Sequence, residues 1–306
     1  ILSLSYDAVA GDKRLCEPVP YWSVREGAEA GMRNPFKGSD SEAVDQLETW
    51  LKDSIKQQMV VEVPLGAFLS GGVDSSMVVA LMQAQSNRPV KTYTIGFQEE
   101  DYDEAKHAKK VAQHLGTEHT ELYVTANQAM SVIPNLPSLY DEPFADSSQI
   151  PTFLLSSLAR QHVTVSLSGD GGDELFAGYN RYFLGRNIWK TVGWMPKVMR
   201  RMTANILHPL SSERWDSFFQ RVAPLTASVG KLHQLRDKMY KLADILEMDG
   251  PDAMYLDLVS HWKNPSSLVI NGSEPPTVLT DSSQWSSSME FTERMMYWDM
   301  VTYLPD

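Results

Sequence analysis

Between Val60 and Ser168 short apolar runs alternate with stretches of helical period, and this alternation narrows the folds open to the chain more than any other feature. "VEVPLGAFLS" (61–70) reads as a strand ending at Leu69, and "DSSMVVALMQAQ" as a helix starting near Ser75. "PVKTYTIGF" is a second strand, and "DEAKHAKKVAQHLG" a helix closed by Gly116. "EHTELYV" is a third strand. A helical stretch from about Asn127 leads to "IPTFLLSSLARQ", a helix with Pro151 in its first turn, and then to a strand in "HVTVSLSG". Parallel strands need a crossover between them, and a helix is the usual one, so strands that alternate with helices imply a parallel sheet. The expected fold class is α/β, a doubly wound and mostly parallel sheet over 60–185, with added C-terminal helices over 186–306. The aromatic and Met residues of "ERWDSFFQRV", "GKLHQLRDKMYKLADILEM" and "DAMYLDLVSHW" recur at helical spacing, as a helical core requires. "TERMMYWDMVTYLPD" starts one more helix.

The N-terminal region reads differently. Residues 1–22 form two short strands joined by "DAVAGDKR", a hairpin with Gly11 in its turn. A lone hairpin is marginal in water, so it reads as the trailing edge of another domain. Residues 23–40, small and polar, read as a linker, and the main domain is expected over 41–306. It opens with a capped helix whose apolar positions are Val44, Leu47, Leu51 and Ile55.

Charge and cysteine content exclude several roles. The net charge of −12 gives a long-range field of the wrong sign for nucleic acid or an anionic membrane. One cysteine, Cys16, allows no internal disulfide, which fits a reducing, cytoplasmic compartment. No apolar run approaches the ~20 residues of a membrane span, and no signal peptide is read. The sequence opens on Ile1 rather than Met, so a start further upstream is expected.

Chemistry concentrates in two loops. In "FLSGGVDSSMVVALM" (68–82), Gly71 and Gly72 let the chain turn between strand and helix and leave no Cβ in a ligand's way. The N–H groups from Gly72 to Ser76 then open a helix N-terminus, where the dipole favours an anion, and Ser70, Ser75 and Ser76 add hydroxyls. Neither GxxxxGK[ST] nor GxGxxG is present. Instead Asp74 stands in the cradle, which suits phosphate only if a cation such as Mg2+ joins the two. The second loop, in "VSLSGDGGDELFAGYNRY" (165–182), repeats the grammar: strand, Leu-Ser-Gly, acidic glycine turn, helix. If the fourth strand returns to the far side of the first, Ser168 and Gly169 lie beside Ser70 and Gly71, at the switch point where open α/β sheets bind ligands. Asp170, Asp173 and Glu174 then face the cradle, and Asp74 with Asp173 is the expected metal pair. The seven histidines show no metal-ligand spacing.

"LSGGVDSS" resembles the pyrophosphate loop of the N-type ATP pyrophosphatases, of the adenine-nucleotide α-hydrolase fold type. "SLSGDGGDELFAGYNRY", with "YDEPFADSS" upstream, is similar to the synthetase domain of the glutamine-hydrolysing asparagine synthetases. The resemblance implies that ATP adenylates the side-chain carboxylate of aspartate and that ammonia then displaces AMP to give asparagine. It implies that Ser70, Gly71, Gly72, Asp74, Ser75 and Ser76 hold pyrophosphate, and that Leu69 and Ile95 line the adenine pocket. Ser168 and Gly169 match a nucleotide contact, and Asp173 the second Mg2+ ligand. Asp170 matches a position usually held by Glu, which aids the attack of ammonia. A homodimer is compatible with this reading.

Tyr21–Trp22 matches the end of that family's glutaminase domain, so residues 1–22 read as its remnant. Cys16 cannot replace the glutaminase nucleophile, which stands at a chain start, and ammonia would come from a domain outside this sequence. The family also carries a phosphate-neutralising lysine after a stretch like "TYLPD" (302–306), where this sequence ends. The expectation is a chain trimmed at both ends that binds ATP–Mg2+ and makes asparagine poorly or not at all. Rival readings are a related amidotransferase or β-lactam synthetase acting on another carboxylate, and a nucleotide-binding module without catalysis. tRNA-thiolating relatives need paired cysteines and a basic surface, which this chain lacks.

Overall fold

A computed structural model describes residues 20–97, 103–140, 146–207, 242–262, 265–284 and 289–305. The hairpin expected at the N-terminus falls outside them up to residue 19, as do Cys16, "ERWDSFFQRV", most of "YDEPFADSS" and the first part of "GKLHQLRDKMYKLADILEM". In chain order the elements are α1 (Val24–Arg33), α2 (Asp40–Gln58), β1 (Leu65–Phe68), α3 (Val73–Ala84), β2 (Lys91–Phe97), α4 (Ala105–Leu115), β3 (Glu118–Val124), α5 (Ala126–Val132) and α6 (Leu136–Leu139). They continue with α7 (Gln149–Ala159), β4 (Val165–Leu167), α8 (Gly172–Phe176), α9 (Asn180–Val192), α10 (Lys197–Leu207), α11 (Pro251–Val259) and α12 (Phe291–Val301). The chain divides into two compact units, one of Asn34–Asp173 and one of Glu174–Asp306 with the N-terminal stretch through Arg33. The sheet unit thus closes at Asp173, short of the expected 185.

In the Asn34–Asp173 unit the four strands lie parallel in the order β3-β2-β1-β4. Order reverses at β1: β2 and β3 lie to one side, and β4 returns to the other, pairing Leu65 with Val165 and Ala67 with Leu167. Side chains alternate along each strand, so the two faces bury different partners. Ala67, Leu69, Val79, Met82 and Ala108 pack with Ile55 of α2, putting α2, α3 and α4 on one face. Tyr93, Ala159 and Val163 pack with Phe68 and Leu155, putting α7 on the other. Helices on both faces make the sheet doubly wound.

Several boundaries differ from the sequence reading. β1 starts only at Leu65, because Pro64 lacks the N–H that a ladder needs. α3 starts at Val73, with Gly72 extended at its N-cap (φ −68°, ψ 166°), so Asp74 and Ser75 lie inside its first turn. The expected linker also holds a helix: α1 spans Val24–Arg33. Ser23 Oγ accepts from Glu26 N at 3.2 Å, Arg25 pairs with Glu29 one turn on, and Val24, Ala28 and Met32 pack on an apolar cluster. α2 has the expected cap, with Ser39 and Glu42 bonding each other's backbone N–H. Of its apolar stripe Ile55 is buried, whereas Val44 is 63% exposed.

The second unit is helical among the described residues. α1, α9, α11 and α12 close on Tyr182, Tyr255, Met295 and Trp298. Within this core sits a carboxylate, Asp299, only 3% exposed. Its Oδ2 accepts from Tyr182 OH at 2.5 Å, from Tyr255 OH at 2.7 Å and from Arg181 Nε at 3.2 Å. The guanidinium also lies over the Tyr179 ring, 3.9 Å from its centroid. A buried carboxylate is tolerable only with such partners. Burial, then the adjacent Asp299, pushes both tyrosine hydroxyls far above their ordinary pKa, so they remain donors.

Candidate nucleotide site

The turn after β1 is built by its own side chains. Leu69 N extends the ladder to Tyr93 O at 2.9 Å before the chain leaves the sheet. Gly71 adopts φ +84°, and a Cβ there would stand 2.7 Å from Ala108 N and 2.8 Å from His107, so the position needs glycine for its conformation and for the approach of α4. Ser75 reaches back across the turn: Ser70 N donates to its Oγ at 3.2 Å, and the two hydroxyls lie 2.9 Å apart. Gly72 N donates to Ser70 Oγ at 3.2 Å. These bonds hold the turn open as a cradle over the first N–H groups of α3, which have no partner within the helix.

The second loop packs directly against that helix start. A Cβ on Gly169 would come 2.7 Å from Ser75 N and 3.0 Å from Asp74 C. A Cβ on Gly172 would stand 2.5 Å from Asp74 Cγ. The glycines of one loop therefore exist for contact with the other, as the strand order at β1 requires. Gly171 turns the loop at φ +90°, and Ser168 Oγ donates to Asp170 Oδ2 at 2.7 Å.

A cavity of about 390 Å3 opens where the loops meet, at the C-terminal ends of β1, β2 and β4. That volume suits a small organic ligand. Of the residues expected in a site, Leu69, Ser70, Gly72, Asp74, Ser75, Ile95, Ser168, Gly169, Asp170 and Asp173 line it. Three do not: Gly71 turns towards α4; Ser76 lies one step further into the helix, its Oγ buried without a partner among the described residues; and Glu174, expected to face the cradle, is instead buried at 2% exposure and accepts from Tyr179 OH at 2.8 Å. Sequence reasoning missed Phe68, Thr94, Glu104, Thr152, Leu155 and Ser166, which complete the wall. Phe68 and Leu155 form an apolar lobe on the α7 face. Register pairs Phe68 with Tyr93, so alternation along β2 brings Ile95 to the same lobe. Helix α7 supplies Thr152 and Leu155, and only the tertiary fold shows that this helix covers the cavity.

The cavity wall carries four carboxylates, Asp74, Glu104, Asp170 and Asp173, and no Lys, Arg or His among the described residues. An anion can enter such a space only with its counter-cation. A slightly larger cavity of about 420 Å3 in the helical unit is walled by Trp262, Pro265 and Leu279, and no strand end opens on it among the described residues.

The family model described as asparagine synthase matches residues 46–306, which include both loops. The chain belongs to the asparagine synthase family. It is 33% identical over 296 residues to asparagine synthetase [glutamine-hydrolyzing] 1 of Bacillus subtilis, covering 94% of this chain and 43% of that protein. A putative asparagine synthetase of Methanocaldococcus jannaschii is 40% identical over 158 residues, covering 51% of this chain and 30% of that one. This member of the asparagine synthase family thus spans less than half the length of these relatives. Among solved structures, an NMN synthetase from Francisella tularensis aligns over 47% of this chain and 59% of its own, with 18% identity and a TM-score of 0.32. An NH3-dependent NAD synthetase from Campylobacter jejuni aligns over 67% and 95%, with 14% identity and a TM-score of 0.32.

Proposed function

We propose that this chain carries the synthetase step of a glutamine-dependent asparagine synthetase: ATP adenylates the aspartate side chain, and ammonia then takes the place of AMP. The observation that carries the reading is the direct contact of two glycine loops around one acidic cavity at the sheet's switch point. The apolar lobe at Phe68, Ile95 and Leu155 suits a nucleobase, and the Ser70–Ser75 cradle suits phosphate.

Asp74 and Asp173 would hold Mg2+ here: both line the same cavity, whose wall carries four carboxylates and no cationic side chain among the described residues, a donor set that fits a hard cation. Bound there, Mg2+ would offset phosphate charge that the protein's own wall cannot. The N–H groups at the start of α3 receive the pyrophosphate. They do so as the aspartate carboxylate oxygen bonds to the α-phosphorus and the bond from that phosphorus to the bridging oxygen breaks. Holding both substrates in line supplies much of the rate. Ammonia's lone pair then attacks the acyl carbon, AMP leaves, and Asp170, oriented by Ser168, takes up the proton that nitrogen sheds. In the relatives' names the nitrogen donor is glutamine, so ammonia would be delivered by a glutaminase domain. The single cysteine suits a reducing, cytoplasmic setting. Among the described residues no helix is long and apolar enough to cross a membrane.

The test is exchange of labelled pyrophosphate into ATP with a panel of acids. Exchange that requires aspartate and Mg2+ supports the reading. Exchange driven by another carboxylic acid, or by none, refutes aspartate as the acceptor.

A further inference from the structure

Glu104 is the cavity carboxylate that neither glycine loop contributes. It stands at the N-cap of α4 with no side-chain capping bond, and its carboxylate is without a hydrogen-bond or ion-pair partner among the described residues. One turn further, His107 and Ala108 pack against Gly71. Residues three and four apart share a helix face, so Glu104 lies on the face of α4 turned to the phosphate cradle. Helix α4 packs on the sheet face opposite α7, whereas the apolar lobe lies on the α7 face. Glu104 is therefore placed beside the cradle, across the strand ends from the lobe.

A carboxylate only accepts hydrogen bonds. The phosphates of a nucleotide also only accept, so they cannot satisfy it. The neutral donors a nucleotide carries are the two ribose hydroxyls and, on adenine, the amino group. With the base in the lobe, the amino group lies on the far side and the sugar lies between base and phosphates. We propose that Glu104 determines sugar specificity, binding the ribose 2′- and 3′-hydroxyls and selecting ribonucleotides. This rests on the nucleotide reading of the cavity. An acidic residue holds the ribose of dinucleotides in another α/β fold by the same chemistry.

The experiment measures equilibrium binding of ATP, 2′-deoxy-ATP and 3′-deoxy-ATP, with Mg2+ present, to the protein and to Glu104→Ala and Glu104→Gln. Removing a negative charge eases repulsion for all three nucleotides alike, so the readout is the ratio of affinities. The expected result is a preference of about tenfold for ATP over at least one deoxy analogue, the scale of a bond to a charged acceptor at an open rim. That preference should collapse towards one in Glu104→Ala and persist in part in Glu104→Gln. An unchanged ratio in Glu104→Ala, or equal weakening of all three ligands, overturns the inference. So does a raised Mg2+ requirement with the ratio intact, which would make Glu104 a metal ligand. Failure of the unaltered protein to bind any of the three would instead refute the nucleotide reading together with this one.

Discussion

Replacing Gly172 by alanine isolates the position of the Asp74 carboxylate from the stability of the fold. The new Cβ would stand 2.5 Å from Asp74 Cγ and 2.7 and 2.9 Å from its oxygens. Ordinary contact needs the carboxylate to move by about 1 Å, and an overpacked site costs about 1–3 kcal/mol. Here the obstacle is the end of a side chain, and the backbone at 172 is outside the left-handed region, so the lower end applies. Function should suffer far more, because a displacement near 1 Å costs about a hundredfold in rate. Gly169→Ala makes the contrast. Its Cβ would meet backbone, Ser75 N at 2.7 Å and Asp74 C at 3.0 Å, which cannot swing aside. That variant should lose about 2–3 kcal/mol as well as activity. Urea unfolding and pyrophosphate exchange, run on both, separate the two effects. Gly172→Ala with nucleotide affinity and exchange within twofold of the unaltered protein would refute the reasoning.

Other perturbations test other parts of the account. Asp299→Ala removes the acceptor shared by Arg181, Tyr182 and Tyr255, and breaking a buried pair of this kind costs about 3–5 kcal/mol; a loss under about 1 kcal/mol in urea unfolding would contradict it. Burial lowers the pKa of His119 below its ordinary 6.5, and its Nδ1 lies 2.9 Å from Thr92 Oγ1. The unfolded chain then binds the proton more readily, so stability should fall as pH drops from about 6.5 towards the folded value, and His119→Gln should flatten that slope. Gly31 lies exposed in α1, and a Cβ added there would meet nothing within 4 Å, so Gly31→Ala should stabilise by about 0.5–1 kcal/mol in thermal unfolding.

The features legible in the sequence were those governed by local pattern and handedness. Alternating strands and helices gave the parallel sheet, and the return of β4 beside β1 followed from the connection rule, bringing Gly169 onto Ser75. Helix α1 was missed although "SVRE" places Ser23 three residues before Glu26, a capping spacing; its two glycines masked the signal. Thr152 and Ser166 enter the cavity wall through packing of α7 on the sheet, which no local motif encodes. Glu104 was within reach, since ligands in open α/β sheets meet the helix starts that follow the strands. Asp299 lies 118 residues from Arg181 in sequence, and such a pairing leaves no trace in either segment alone.

The most direct test of the central claim is anomalous diffraction from crystals of the protein grown with Mn2+ and a non-hydrolysable ATP analogue. The account requires a Mn2+ peak shared by the Asp74 and Asp173 carboxylates, with the analogue's β- and γ-phosphates on the Ser70–Ser75 turn. A nucleotide bound elsewhere, or a metal that touches neither aspartate, would contradict it.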